Sequence, residues 1–206
     1  MFYEKYWDTQ KGHLSDFSLK WPVLSKYIPT ASGVSILDFG CGKGEILYEI
    51  TKINPHARCI GLDVSHVAIQ DAKKKNPHYS FFQINDGGKF PIPDNSIDFV
   101  FSSEVIEHVY DTENAIQEIS RILKPGGVLL MTTPFHGFLK NLSIALLNFD
   151  EHFNPIGSHV RFFSKKTLSA LFLKFGLMPK KYEYYGRCYP FSHSIVILAE
   201  KNEKNK

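Results

Sequence analysis

Apolar residues recur along this chain with two alternating periods. Short apolar runs read as five strands: "VSILDF" (34–39), "RCIGLD" (58–63), "YSFFQI" (79–84), "IDFVFSS" (97–103) and "VLLMTT" (128–133). Helical spacing fills the gaps. Glu45 to Ile53 forms one helix, closed by "NP", and Ser65 can cap the next. Asp111 can cap a third that runs to Leu123 and is stopped by "KPGG" (124–127). Ahead of the first strand, Leu14, Phe17, Trp21, Leu24 and Ile28 recur at three- and four-residue steps, with Pro22 a break point. The rhythm lapses from Pro134 to Phe163. It resumes in a helix from Lys165 to Phe175, with Gly176 as its C-terminal cap. "KKYEYYG" (180–186) and "SHSIVILAE" (192–200) are the last two strands.

Strands that alternate with helices imply a parallel sheet covered on both faces. The short connection between the last two strands implies an antiparallel addition at the sheet edge. The 206 residues fit one domain, and no internal repeat or low-complexity linker divides them.

Charge and cysteines narrow the classes. A net charge of +3 gives no argument for a nucleic-acid partner. Cys41, Cys59 and Cys188 are odd in number and lack metal-type spacing, which suggests free thiols in a reducing compartment. The polar, aromatic start "MFYEKYWDTQKGH" is not a signal peptide, and no run is long and apolar enough for a membrane span. The expected location is the cytoplasm.

Chemistry concentrates where the first strand meets its helix, in "ILDFGCGKGEILYEI" (36–50). Gly40, Gly42 and Gly44 permit positive φ and close approach of backbone to a ligand, and the helix start offers free N–H groups. A dinucleotide fingerprint would need glycine at position 45, where Glu45 stands. A tight strand–helix connection is the plain alternative. Asp63 ends the second strand, where an acid can accept two ribose hydroxyls or cap a helix.

The stretch D-x-G-x-G-x-G from Asp38 resembles motif I of the class I S-adenosylmethionine (SAM)-dependent methyltransferases. "NDGGKFPIPDNSIDFVF" (85–101) and "RILKPGGVLLMTTP" (121–134) are similar to later family stretches, in the same order. The resemblance covers roughly Val34 to Pro134. It implies a Rossmann-like α/β fold: a seven-stranded, mostly parallel sheet with helices on both faces, an antiparallel last strand and an insertion after strand five. It also implies a SAM site built from Asp38, Phe39, Gly40, Cys41, Gly42, Gly44, Asp63, Val64, Asn85, Asp86, Ser102 and Ser103. In that scheme the glycine turn cradles the methionine part. Asp63 grips the ribose and Asp86 the adenine amino group, and Ile84 and Asn85 line the ring.

"SSEVIEHV" (102–109) follows the fourth strand. If it begins a helix, Glu104 shares a face with Glu107 or His108 at i, i+3 and i+4. The three could bind a divalent cation, or His108 could act as a base; Glu107 and His159 are the other catalytic candidates. The segment resembles "VIEHV" of ubiquinone-pathway O-methyltransferases. It also resembles the E-x-x-E-H metal ligands of small-RNA 3′-terminal 2′-O-methyltransferases, which use a further downstream histidine. His159, His152 or His136 could fill that downstream role. The plain alternative is that His108 lines a pocket and Glu104 caps a helix.

The insertion (135–164) is expected to cover the acceptor site, and residues 1–30 to form an N-terminal lid. Phe138, Leu142, Ala145 or Leu146, and Phe149 mark an apolar helix face that is either packed down as a lid or laid on a membrane surface. Arg161 could read a carboxylate or phosphate. "TPFHGFLKNL" and "HVRFFSKKTL" resemble small bacterial methyltransferases of cell-surface polysaccharide assembly. The expected activity is methyl transfer to a hydroxyl of a sugar, quinone-like or lipid-linked small molecule. RNA 2′-O-methylation and non-catalytic SAM binding are the alternatives. The sequence does not fix oligomeric state.

Overall fold

The computed structural model describes residues 17–153 and 159–203. Leu14, "YEKYWD" and the greater part of the expected 1–30 lid lie outside them. Seven strands form one sheet: β1 (Ser35–Phe39), β2 (Arg58–Asp63), β3 (Ser80–Gln83), β4 (Ile97–Ser103), β5 (Leu123–Pro134), β6 (Leu177–Tyr185) and β7 (Ser194–Lys201). Their order is β3-β2-β1-β4-β5-β7-β6. The first five pair in parallel, and β7 is antiparallel to both β5 and β6. The chain's last strand therefore lies inside the sheet and β6 takes the edge. Pro179, beside a register shift in β6, suits an edge strand because it offers no N–H to a neighbour.

Helices cover both faces because strand side chains alternate. Ile36, Phe99, Phe101, Leu130 and Val196 point into one core. That core holds α1 (Phe17–Leu24), α2 (Glu45–Ile53) and α3 (His66–Lys75) through Leu24, Leu47, Ile50, Ile69 and Ala72. Leu37, Val100, Leu129, Met131, Ile195 and Ile197 point into the other. There they meet α4 (Thr112–Ile122) and, later in the chain, the Lys165–Lys174 helix through Ile116, Ile119, Leu168 and Phe172.

The expected caps form. Ser65 Oγ accepts from Ala68 N–H, and Asp111 Oδ1 accepts from Asn114 N–H. Gly176 takes a φ of 75° just past the Lys165–Lys174 helix. Three expectations change. The N-terminal helix is short, ending at Leu24 and passing into a 3₁₀ turn over Ser25–Tyr27. "KPGG" belongs to the start of β5, where the register shifts between Ile97↔Leu123 and Phe99↔Val128.

The third change concerns the insertion. It forms α5 (Phe138–Leu147) and α6 (Phe149–His152), ahead of α7 (Lys165–Lys174). None of α5 is buried, and Phe138 and Leu147 are 80% and 84% exposed. The apolar helix face is thus not packed down within the described residues. No described helix is long and apolar enough to cross a membrane.

Candidate functional site

Most residues of the site sit just past the carboxyl ends of β1, β2, β3 and β4. After β1 the chain turns through Gly40, Gly42 and Gly44, with φ of 79°, 51° and 80°. Only glycine takes this run without strain. Gly40 is also sterically fixed, because a Cβ there would stand 2.3 Å from Val105 Cγ2. Gly40 and Cys41 N–H donate to Leu62 O at 2.8 and 3.0 Å, which ties the turn to β2. Cys41 is buried and its thiol is pushed well up, by burial first and then by the fields of Asp38 and Asp63, so it is a packing residue.

Asp63, at the end of β2, stitches three elements together. Its Oδ2 accepts from Gly42 N–H and its Oδ1 from Ser65 N–H, each at 2.8 Å. Both oxygens of the carboxylate are therefore turned toward the start of the turn and of the helix that follows β2. Asp38 is different. It is 2% exposed, and its Oδ2 has no hydrogen-bond partner among the described residues. Burial, reinforced by Asp63, pushes its carboxyl up to about 8. One register step along the adjacent β4, the buried Ser102 Oγ is also unpartnered among the described residues.

The remaining expected cofactor residues spread along the same strand ends. Phe39 packs on Phe90 at 5.4 Å between ring centroids. Val64 is exposed, and its carbonyl accepts from Gln83 Nε2 at 3.1 Å. Asn85 O accepts from Gly88 N–H at 3.0 Å. Asp86 accepts from the backbone N–H groups of Tyr110 and Asp111 at 2.9 and 3.4 Å, which holds the loop after β4 against the loop after β3. Ser103 Oγ lies 3.1 Å from Thr132 Oγ1. Ile84 is buried in the core and offers little edge to a ligand.

"SSEVIEH" does not begin an α-helix. Glu104 has a φ of 57°, and a 3₁₀ turn follows over Ile106–His108. The break gives the two glutamates different partners. Glu104 Oε1 accepts from Thr132 Oγ1 at 2.7 Å and from Tyr185 OH at 3.0 Å, and its Oε2 from Ser194 Oγ at 3.2 Å. It is the acceptor that joins the ends of β4, β5, β6 and β7. The expected Glu104–Glu107–His108 ligand set does not assemble.

Glu107 instead meets His108 and His159, with one ligand-type atom from each inside 4.8 Å. Glu107 is 1% exposed. Its Oε2 accepts from Thr133 Oγ1 at 3.1 Å, and its Oε1 stands 3.8 Å from His108 Nε2. Burial first, then the charge of Glu104, pushes its carboxyl up to about 8. The His108 and His159 rings are 4.9 Å apart. Glu107 O brings His159 there by accepting from Val160 and Arg161 N–H at 2.9 and 3.0 Å. Arg161 donates from Nη2 to Tyr110 O at 2.8 Å.

Sequence reasoning missed Lys20, Thr133 and the way His136 and His152 pair. Lys20 lies buried on α1 with its charge favouring ionisation of both Asp38 and Glu107. A lysine in the middle of "FSLKWPVL" gives no sign of that in the sequence.

Residues 37–131 match the methyltransferase-domain family model. A Mycolicibacterium smegmatis protein named as a probable SAM-dependent methyltransferase is 32% identical over 106 residues, 50% of this chain and 39% of that one. The stretch 37–131, just under half of the chain, is similar to the SAM-dependent methyltransferases. The glycine turn, Asp38, Asp63 and Ser102 all lie within that matched stretch. The 27-O-demethylrifamycin SV methyltransferase of Amycolatopsis mediterranei is 28% identical over 132 residues, 61% of this chain and 48% of that one. A SAM-dependent methyltransferase from Aquifex aeolicus superposes with a TM-score of 0.70 at 16% identity, covering 91% of this chain and 93% of that one. That likeness speaks for the fold. The matches span under half the length of both curated relatives.

The residues of the turn and its surroundings suit SAM. A turn that excludes a Cβ at Gly40, and a buried Asp38 Oδ2 and Ser102 Oγ that have no hydrogen-bond partner among the described residues, suit a ligand that brings its own ammonium and sulfonium charge.

Proposed function

We propose that this chain transfers the methyl group of SAM to a hydroxyl oxygen of a small-molecule acceptor. The observation that carries the reading is the convergence of Glu107, His108 and His159 at the carboxyl ends of β4 and β5, just as the glycine cradle follows the carboxyl end of β1. When bound, SAM supplies a methyl already activated on a sulfonium. The protein's tasks are therefore alignment and handling of the acceptor proton.

In this reading Asp38 and Ser102 hold the methionine end. Asp63, at the end of β2, accepts from the ribose, and Asp86 lies on the adenine side. His108 takes the hydroxyl proton. Glu107 orients His108 from below and His159 flanks it, and burial under the 159–163 segment keeps water from Glu107. The O-methyl chemistry in the rifamycin enzyme's name supports oxygen as the acceptor atom. Ordinary net charge supports a small acceptor over nucleic acid.

A second reading is favoured by the same three side chains. One carboxylate and two imidazoles form a donor set suited to a divalent transition ion, which would lower the pKa of an acceptor hydroxyl. The test is an acceptor panel scored by S-adenosylhomocysteine (SAH) formation, with and without chelator. Turnover lost in His108→Asn but untouched by chelator supports the base. Turnover lost to chelator and restored by Mn²⁺ supports the ion. SAM binding with no turnover across mono- and polyhydroxylated, amine and thiol acceptors would overturn both.

A further inference from the structure

We propose that His136 and His152, walled by the rings of Phe153 and Phe162, form a second hydrogen-bonding station of the acceptor site, and that the acceptor is a polyhydroxylated ring. This rests on the methyl-transfer reading above and names the substrate class of that site.

The second station is joined to the first by one short segment. Residue 159 lies beside His108, and three residues on Phe162 meets His136 edge-on, with centroids 4.9 Å apart at 79°. His136 N–H donates to Phe163 O at 3.1 Å, and Phe135 bridges Phe163, so the end of β5 runs alongside this segment. His136 is 5% exposed. Its Nδ1 lies 3.0 Å from Asn141 Oδ1, an atom that can only accept. The proton therefore sits on Nδ1, and Nε2 keeps a lone pair for a hydroxyl. The His152 ring lies 5.5 Å from His136, and its buried Nε2 has no hydrogen-bond partner among the described residues. Around it Phe153 stands edge-on at 5.0 Å, and Phe162 lies tilted by 36° at 6.3 Å.

The chemistry selects the ligand. A buried, unpaired imidazole nitrogen in an aromatic wall asks for a polar ligand group. Burial lowers His136 to about 4 and also lowers His152, so at neutral pH the wall presents uncharged imidazoles. Nearby cations are engaged by carbonyls: Lys140 Nζ donates to Ser192 O and His193 O at 3.0 and 3.1 Å, and Arg161 to Tyr110 O. Neutral imidazoles take hydroxyls, and aromatic rings take the C–H faces of a saturated ring. A monohydroxylated flat acceptor would fill only the Glu107–His108–His159 station and leave the His152 nitrogen unpaired. A ring with hydroxyls around its perimeter fills both stations.

The test is saturation-transfer NMR on the full chain saturated with SAH. The probes are methyl α-mannopyranoside, methyl β-galactopyranoside and myo-inositol, set against phenol and catechol. At least one polyol should receive saturation, and its affinity should fall fivefold or more in both His152→Ala and Phe162→Ala. His152→Gln, which keeps a hydrogen-bonding group, should retain more of it. Thermal denaturation and SAH affinity should be unchanged in all three. Saturation of the phenols alone, of no probe, or of polyols equally in wild type and variants overturns the proposal. Failure of SAH itself to bind would be a failure of the cofactor reading, and the titration that saturates the sample reads it separately.

Discussion

Asp63 Oδ2 accepts the Gly42 N–H at 2.8 Å while its other oxygen holds Ser65, so one carboxylate fixes the glycine turn and the start of α3 together. Both bonds are buried and charge-assisted, and such bonds contribute about 1.5–3 kcal/mol each. Asp63→Ala should therefore cost roughly 3 kcal/mol or more of stability, measured by urea denaturation. It should also weaken SAM by at least about tenfold, because the cradle loosens and the ribose loses an acceptor. Ser65→Ala, which removes only a cap, should cost about 1 kcal/mol and leave SAM affinity near wild type.

With SAM held as proposed, Asp38 should give its binding a pH dependence. Its carboxyl sits at about 8 in the free protein, so at pH 7 it is mostly protonated. A cationic ligand beside it favours the ionised form and lowers the pKa of the complex. Binding at pH 7 should then release a proton, and affinity should fall as pH drops from 8 toward the ordinary carboxylate range, by up to about tenfold per unit. Calorimetry in two buffers of different ionisation heat measures the proton. Asp38→Asn should abolish it.

Gly40 is fixed twice over, by a φ of 79° and by Val105. Gly40→Ala should destabilise the protein by about 2–3 kcal/mol. Adding Val105→Ala should recover part of that, since it removes the clash and leaves the backbone strain. Thermal melts of the two variants separate the contributions.

The two glutamates after β4 should respond differently. Glu104 is satisfied by three hydroxyls from three other strands, whereas Glu107 faces two imidazoles. Glu104→Gln should lower melting temperature while SAH formation per folded protein changes by less than about threefold. Glu107→Gln should cut turnover by about a hundredfold or more with SAM affinity retained.

The apolar face of α5 carries no fully buried residue. Leu146→Ser with Leu147→Ser should change stability by less than about 1 kcal/mol, since both are largely exposed. Phe172→Ala, fully buried on α7, should cost about 3–5 kcal/mol in the same denaturation assay.

The sheet was legible because its signals are local. The strands from β1 to β4 match their apolar runs to within a residue at each end, and Ser65, Asp111 and Gly176 stand where caps are needed. The glycine turn was legible for the same reason. What failed depended on tertiary contact. Nothing in "SSEVIEH" signals the positive φ at Glu104, which is stabilised by Thr132, Tyr185 and Ser194 from distant strands. The apolar spacing of α5 read as a buried face, yet no described element packs over it enough to bury any of its residues. His136 and His152 are sixteen residues apart, and only the return of the chain at Phe162 and Phe163 closes the aromatic wall around them.

The most direct test of the account is a calorimetric titration of SAM into the full chain at pH 8, repeated with Asp38→Asn and Asp63→Ala. The account predicts saturable one-site binding in the wild type, weakened at least about tenfold by either substitution. Absence of binding by the folded wild-type protein, or binding indifferent to both carboxylates, would contradict it.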